Sequence, residues 1–263
     1  MANGVLQLRS AIARLVTGLG EWTLLFIETA GAFFRYGIRW GDTIRQMYHV
    51  GVRSQTVTLI TGGFTGMVFA AQTFFQFHKV RMDTAVGAVV SVAMCRELGP
   101  VLTALMVSGR VGASFAAELG TMRVTEQVDA LRAMAKHPTD YLVLPRVVAM
   151  LTTLPLLAAE AIAIGILSGY LVAIHLLGVD GAYFLVNMRK YTGLPDVVQG
   201  LVKAACFALC ISTICCYKGL NCRAGAEGVG RATTEAVVVS SITVLISNFF
   251  ITMLLSHISF FQP

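Results

Sequence analysis

"TAVGAVVSVAMCRELGPVLTALMVSG", residues 84–109, runs for 26 residues with formal charge only at Arg96 and Glu97. About 20 mostly apolar residues suffice for a helix to cross a bilayer. The run is therefore long enough to span, and it carries two charges near its middle. Four more stretches read the same way. Ser54–His78 has no formal charge, Val147–Val179 has only Glu160, Val197–Tyr217 has only Lys203, and Ala236–Pro263 has none. Backbone polar groups in lipid must be satisfied within their own segment, so runs like these are helices. The expected fold is an all-α integral membrane protein with five transmembrane helices.

Composition supports that class. Charged residues make up 13% of the 263-residue chain, against roughly 25% in a soluble domain. A soluble helical bundle of this length would need a charged surface that these residues cannot supply. The first 45 residues differ from the rest. Leu8, Ile12, Leu15, Leu19, Trp22 and Phe26 recur at helical spacing, interrupted by Arg9, Arg14, Glu21 and Glu28. That pattern describes an amphipathic helix in the membrane interface. Glu21 and Glu28 fall where a signal peptide needs an apolar core and a cleavage site. The chain then reads as one domain, 1–263, with an interfacial helix in 1–45 and a five-helix core in 46–263.

Lysine and arginine set the orientation. Twelve lie before helix 1 or in the loops between helices 2 and 3 and between helices 4 and 5: Arg35, Arg39, Arg45, Arg53, Arg110, Arg123, Arg132, Lys136, Arg146, Lys218, Arg223 and Arg231. The other side holds Lys79, Arg81, Arg189 and Lys190. The positive-inside rule puts the twelve in the cytoplasm and the C-terminus outside. This bias accounts for the net charge of +6 without nucleic acid, for which no aromatic-interleaved basic patch exists. Six cysteines form no C-x-x-C pair and read as small apolar residues, not a metal site or a disulfide framework.

One loop is long. In "ELGTMRVTEQVDALRAMAKHPTDYLVLPR", 118–146, Thr125 can cap a short helix with Glu126 and Asp129 in its first turn and Arg132 and Lys136 near its end, an order that suits the helix dipole. Val128, Leu131 and Met134 give it a small apolar face, and Pro138 is expected to stop it. Such a helix either lies on the membrane as a connector or enters a cytoplasmic partner's groove. Gly225, Gly228 and Gly230 lack the Lys-Ser/Thr that a phosphate loop requires, so a tight turn leading to a helix start near Thr233–Glu235 is expected instead. No catalytic or nucleotide motif is present, and the chain is read as a non-enzyme. Gly62-x-x-x-Gly66 and Gly165-x-x-x-Gly169 allow close helix approach. No internal repeat is visible.

A charge at bilayer depth costs about 2.5–3.5 kcal/mol on insertion scales. Arg96 and Glu97, one residue apart, point about 100° away from each other on a helix, so each needs its own partner or a wet cavity. Lys203 could partner Glu97 or Glu160. On helix 1, Phe69, Thr73, Gln76 and Phe77 place rings beside polar groups near the outer end, a face that suits an amphiphile as well as ordinary helix packing.

These residues carry a resemblance. "GFTGMVFAAQ", "VAMCRELGPVLTALMVSGRVGASFAAELGTMRVTEQVDALRAM", "YLVLPR" and "GVGRATTEAVVVSS" resemble the MlaE (YrbE) family, permease subunits of ABC transporters for lipid asymmetry. The likeness runs from about residue 45 onward. It implies a homodimer in a bacterial inner membrane and an MlaF-type ATPase that binds the ATP and magnesium, leaving no cofactor in this chain. It also implies an MlaD-type MCE protein outside, often an MlaB-type STAS protein, and phospholipid as substrate. By the same resemblance Glu126, Val128, Asp129, Leu131 and Met134 form the coupling helix to the ATPase. Arg96, Glu97, Lys203, Phe69, Gln76, Phe77 and Phe207 line the lipid cavity. The competing readings are an autonomous ion- or proton-coupled carrier using the buried charges, and a structural scaffold. A carrier would be expected to show two repeats and broken helices.

Overall fold

The uncharged runs fold as helices that extend well past the runs themselves. A computed structural model of the chain describes residues 2–37, 39–222 and 225–257, without the side chains of residues 2–15, 34 and 36. Among these residues there is no strand. The N-terminal helix is α1 (Ala2–Tyr36). Span 1 joins α2 (Trp40–Met47), a π-helical turn at Tyr48–Val52 and α3 (Arg53–His78). Span 2 joins α4 (Val86–Ala93), a π turn at Met94–Leu98, α5 (Gly99–Val107), a second π turn at Ser108–Gly112 and α6 (Ala113–Val124). The short helix α7 (Gln127–Ala133) links it to span 3, a π turn at Thr139–Val143 running into α8 (Leu144–His175). Then come α9 (Gly181–Tyr191), α10 (Leu194–Leu220) as span 4 and α11 (Ala226–Ser256) as span 5.

Five helical stretches are long and apolar enough to cross a membrane. Spans 1 and 2 measure 39 and 42 residues, or roughly 60 Å at 1.5 Å per residue. That is about twice the hydrocarbon thickness, so their arginine-bearing ends project beyond the lipid core.

Glycine decides how the spans meet. A Cβ on Gly66 would fall 2.0 Å from the Gly165 carbonyl oxygen, and one on Gly62 would fall 2.8 Å from that of Ala161. The two small-residue motifs therefore face each other, and α3 packs on α8 backbone to backbone. Gly219 does the same for α10 against α6, where its Cβ would lie 2.9 Å from the Ala116 carbonyl oxygen. Helix α11 is held more loosely. Ala232, Ala236, Ser240 and Val244 face inward, with Ser240 Oγ 2.6 Å from Ser108 Oγ, while Ile242, Leu245, Phe249 and Phe250 are exposed.

Helix α1 lies against the arginine-rich end of the bundle. Trp22 Nε1 donates to Thr213 Oγ1 at 3.1 Å, and Tyr217 donates its hydroxyl to Glu21 at 2.7 Å. Leu19 and Phe26 stay exposed. Leu8, Ile12 and Leu15 of the same expected stripe have side chains outside the described residues, as do Arg223 of the positive count and residues 258–263.

Four local readings are corrected. Helix α6 continues to Val124, so Thr125 closes it, with Oγ1 donating back to the Thr121 carbonyl at 2.8 Å. Thr125 therefore does not cap α7, and Glu126 makes the turn itself at φ 61°. Helix α7 ends at Ala133, and Ala135 at φ 54° reverses the chain. Pro138 opens the next helix, where its missing N–H is harmless. Helix α11 starts at Ala226, a full two turns before Thr233, because Gly225 at φ 93° makes the turn. Finally, α9 was not foreseen. It is capped by Asp180, which accepts from the Ala182 N–H at 2.8 Å, and it plugs its buried Phe184 onto α4 beside Gly87. The six cysteines are free thiols.

Gly66→Leu is expected to abolish a folded, monodisperse species in detergent. Overpacking costs about 1–3 kcal/mol where side chains can yield, and here the obstacle is backbone. Gly230→Ala, whose Cβ would meet nothing within 4 Å, should leave the thermal midpoint unchanged. Equal behaviour of the two variants would refute the glycine seam.

Candidate functional site

Proline at position 100 is where the site begins. It has no N–H, so the Arg96 carbonyl four residues earlier loses its usual helical donor. The chain is π-helical here, with the Gly99 N–H reaching back to the Met94 carbonyl. The Lys203 ammonium of α10 fills the gap, donating to the Arg96 carbonyl at 2.9 Å and to Glu97 Oε1 at 2.6 Å. Lys203 can reach because of Gly200, one turn earlier on the same face of α10. A Cβ there would fall 2.2 Å from the Cys95 carbonyl oxygen. The Lys203 side chain is fully buried, while that of Glu97 is 40% exposed.

The rest of the network comes from α10 and α11. Glu97 also accepts from Asn248 Nδ2 at 2.9 Å and from Thr252 Oγ1 at 3.3 Å. Arg96 turns the other way, and its Nε donates to Asp196. The second oxygen of Asp196 accepts from the Gly193 N–H at 2.7 Å, so one carboxylate caps α10 and holds Arg96. Two cations and two carboxylates thus balance within the chain, from the π turn of span 2 to the first turn of α10. Arg96 and Glu97 present their unburied atoms to a common space.

That space is a cleft of about 820 Å³, open toward the end opposite the arginine-rich one. Volumes of this order suit small-molecule ligands. Arg96, Glu97, Gln199 and Thr252 form its polar floor. Ala88, Val89, Val92 and Ala93 of α4 form an apolar wall, with Phe77, Met82 and Tyr191 near the rim. An apolar wall above a charged floor matches an amphiphile in both halves.

The sequence-derived residues fall unevenly around it. Arg96, Glu97 and Phe77 line the cleft, and Lys203 lies behind its floor. Phe69 packs into the core formed by α4, α8 and α9, and Gln76 is exposed outside the cleft. Phe207 is fully buried in the main core, because α10 turns that face toward α5 and α8, so it does not line the cleft. Among the described residues Glu160 meets no cation. It accepts from Gln55 Nε2 at 2.9 Å, away from the cleft. Sequence reasoning missed Asp196, Asn248 and Thr252. "GLPD", 193–196, signals a helix start with proline in its first turn and an acid at the third position, which points to Asp196. Asn248 and Thr252 sit in an uncharged run and gave no comparable signal.

The expected coupling helix is also stapled to its own chain. Val128 is buried and Leu131 half-buried, so the apolar ridge faces inward. Asp129 pairs with Arg123 and with Arg132, and Met134 is 60% exposed. Glu126, Asp129, Arg132 and Met134 are among the exposed residues of this segment.

Glu97→Ala is expected to lower the thermal midpoint more than Lys203→Met. The first strands a buried ammonium, a loss of about 3–5 kcal/mol, whereas Glu97 keeps Asn248 and Thr252 in the second. The double variant should lose less than the sum of the two. Strict additivity of the three melting curves would show that the pair is not coupled.

Comparison with known proteins adds the following. The chain matches the family described as "Permease MlaE" over residues 43–254. It is 44% identical over 255 residues to a "Probable ABC transporter permease protein" of Rickettsia typhi, covering 93% of this chain and 97% of that one. It is 42% identical over 243 residues to the protein of the same description from Synechocystis, covering 89% and 92%. It is 37% identical over 212 residues to "Protein TRIGALACTOSYLDIACYLGLYCEROL 1, chloroplastic" of Arabidopsis thaliana, covering 81% of this chain and 61% of that one.

Proposed function

The chain belongs to the MlaE permease family, and from that premise we propose that it is the membrane subunit of an ABC transporter that moves phospholipids between the inner and outer membranes of a bacterium. An ABC transporter permease implies a separate ATPase, and ATP with magnesium belongs there. The observation that carries the lipid reading is the cleft, an apolar wall of α4 over a floor where Arg96 and Glu97 stand side by side. A zwitterionic headgroup fits that floor. Its phosphate would meet the Arg96 guanidinium, which suits phosphate oxygens, and its amine would meet Glu97. Acyl chains would lie along Ala88, Val89 and Val92. The galactolipid in the name of the Arabidopsis relative agrees with a diacyl lipid as the substrate class.

The rest of the assembly follows from the same reading. Two copies would form the permease, since the chain contains no repeat of its own. The ATPase would dock on Glu126, Asp129, Arg132 and Met134 of the α7 region, at the arginine-rich cytoplasmic end. An MCE protein would cover the opposite end, where the cleft opens and α11 ends, and a STAS protein would sit on the ATPase. Arg96 would act by competition. A bound phosphate takes the guanidinium from Asp196, and Asp196 falls back on its second role as the cap of α10.

Arg96→Ala should retain the fold yet lose most co-purified phospholipid and at least about tenfold in lipid transfer between vesicles, the equivalent of one charged contact. Full transfer by a folded Arg96→Ala protein would remove the headgroup role. Met134→Asp should abolish co-purification of the ATPase while leaving bound lipid unchanged, as read by native mass spectrometry. A lone chain with neither ATPase nor lipid in the wild-type preparation would favour a carrier instead.

A further inference from the structure

A second cavity lies at the other end of the molecule. About 990 Å³ open between the foot of span 1 and the foot of span 2, floored by the start of span 3. Five arginines line it, Arg39, Arg45, Arg53, Arg110 and Arg146, against two carboxylates, Asp42 and Glu118. Both carboxylates are engaged. Asp42 holds Arg39 at 3.0 Å, and Glu118 holds Arg146 at 2.8 Å. Among the described residues Arg45, Arg53 and Arg110 have no ion-pair partner, and Arg110 donates only to Ser54 Oγ, at 2.8 Å. Arg146 is 5% exposed, and its Nε finds no hydrogen-bond partner.

The positive-inside bias explains why arginines lie at this end. It does not explain why they converge on one cavity, where like charges repel and raise a strong positive potential. An anion resolves the repulsion, and guanidinium groups match phosphate oxygens in pairs. Depth identifies the source of that phosphate. Trp40, Ile44, Tyr48 and Val52 recur at every fourth residue on the same helical run as Arg45 and Arg53, and all four are more than half exposed. Tryptophan and tyrosine in such a stripe mark the level of lipid headgroups.

We propose that this cavity binds the phosphate group of an anionic lipid in the leaflet at the arginine-rich end. The site is separate from the cleft above Arg96 and would hold even if that cleft took no lipid. Its far wall includes Leu131 of α7, so the bound headgroup sits behind the surface offered to the ATPase. An anionic lipid there would brace α7 against the bundle.

The test uses the full chain in nanodiscs of phosphatidylcholine containing a minority of phosphatidylglycerol, followed by native mass spectrometry in mild detergent. Wild type should retain phosphatidylglycerol selectively. Arg45→Gln/Arg53→Gln should retain about tenfold less at an unchanged melting temperature, since both side chains are exposed and unpaired. Arg53→Gln alone serves if the pair fails to fold. Arg189→Gln/Lys190→Gln, an equal loss of charge at the opposite end, should change nothing. Equal retention by the wild type and the arginine variants would overturn the proposal. Displacement of phosphatidylglycerol by millimolar inorganic phosphate would assign the site to free phosphate and overturn its lipid source. Arginines shielded from phenylglyoxal only when the ATPase is bound would make the cavity a protein interface, which also overturns it.

Discussion

A buried ammonium completing a broken helix is the interaction on which the rest of the permease depends. Pro100 removes one backbone donor at a buried point of span 2, where a carbonyl left without a partner is costly. Lys203 supplies the missing hydrogen bond from another span and brings a full charge with it. That charge then requires Glu97, and Glu97 gathers Asn248 and Thr252 from span 5. Three spans are tied at one point by a defect in the backbone of one of them. The π turn that accommodates the defect also sets the directions of Arg96 and Glu97. The arrangement works only because Gly200 lets α10 touch the turn.

Much of this was legible in the residues. The uncharged runs gave the five spans, since nothing but helices can carry such runs through lipid. The G-x-x-x-G motifs of spans 1 and 3 pointed to close helix packing, and the structure pairs them with each other. Lys203 had two carboxylates to choose from, and the structure gives it Glu97. What stayed hidden depends on direction around a helix or on distance along the chain. Phe207 faces the core instead of the cleft because α10 pivots on Gly200 and Lys203, and its position in sequence carries no trace of that rotation. Asp196 precedes the apolar run of span 4 by one residue and lies 100 residues from Arg96, so only the fold shows that the two pair. The turn at Glu126 was misplaced because Thr125 is equally suited to closing one helix or opening the next, and the length of α6 decides between them.

The two ends of the molecule differ in how charge is balanced. At the Arg96 cleft every cation has a carboxylate within the chain, so the site is nearly neutral and suits a ligand that is neutral overall. At the arginine-rich end three cations around one cavity have no ion-pair partner among the described residues. A neutral site can release its ligand without exposing unpaired charge. A cationic one holds its ligand until another anion arrives. The first arrangement suits cargo and the second suits a resident.

The glycine seam has a mechanical consequence. Because the backbones of α3 and α8 touch at Gly66 and Gly165, neither helix can slide or roll past the other without collision. The two behave as one post. Helix α11 has small residues on its inner face and a serine–serine contact to span 2, and most of its large apolar side chains point away from the bundle. Its displacement would cost far less packing than a shift between α3 and α8. A large motion would thus leave the post standing and swing α11, carrying Asn248 and Thr252 toward or away from Glu97 and so closing or opening the floor of the cleft from one side.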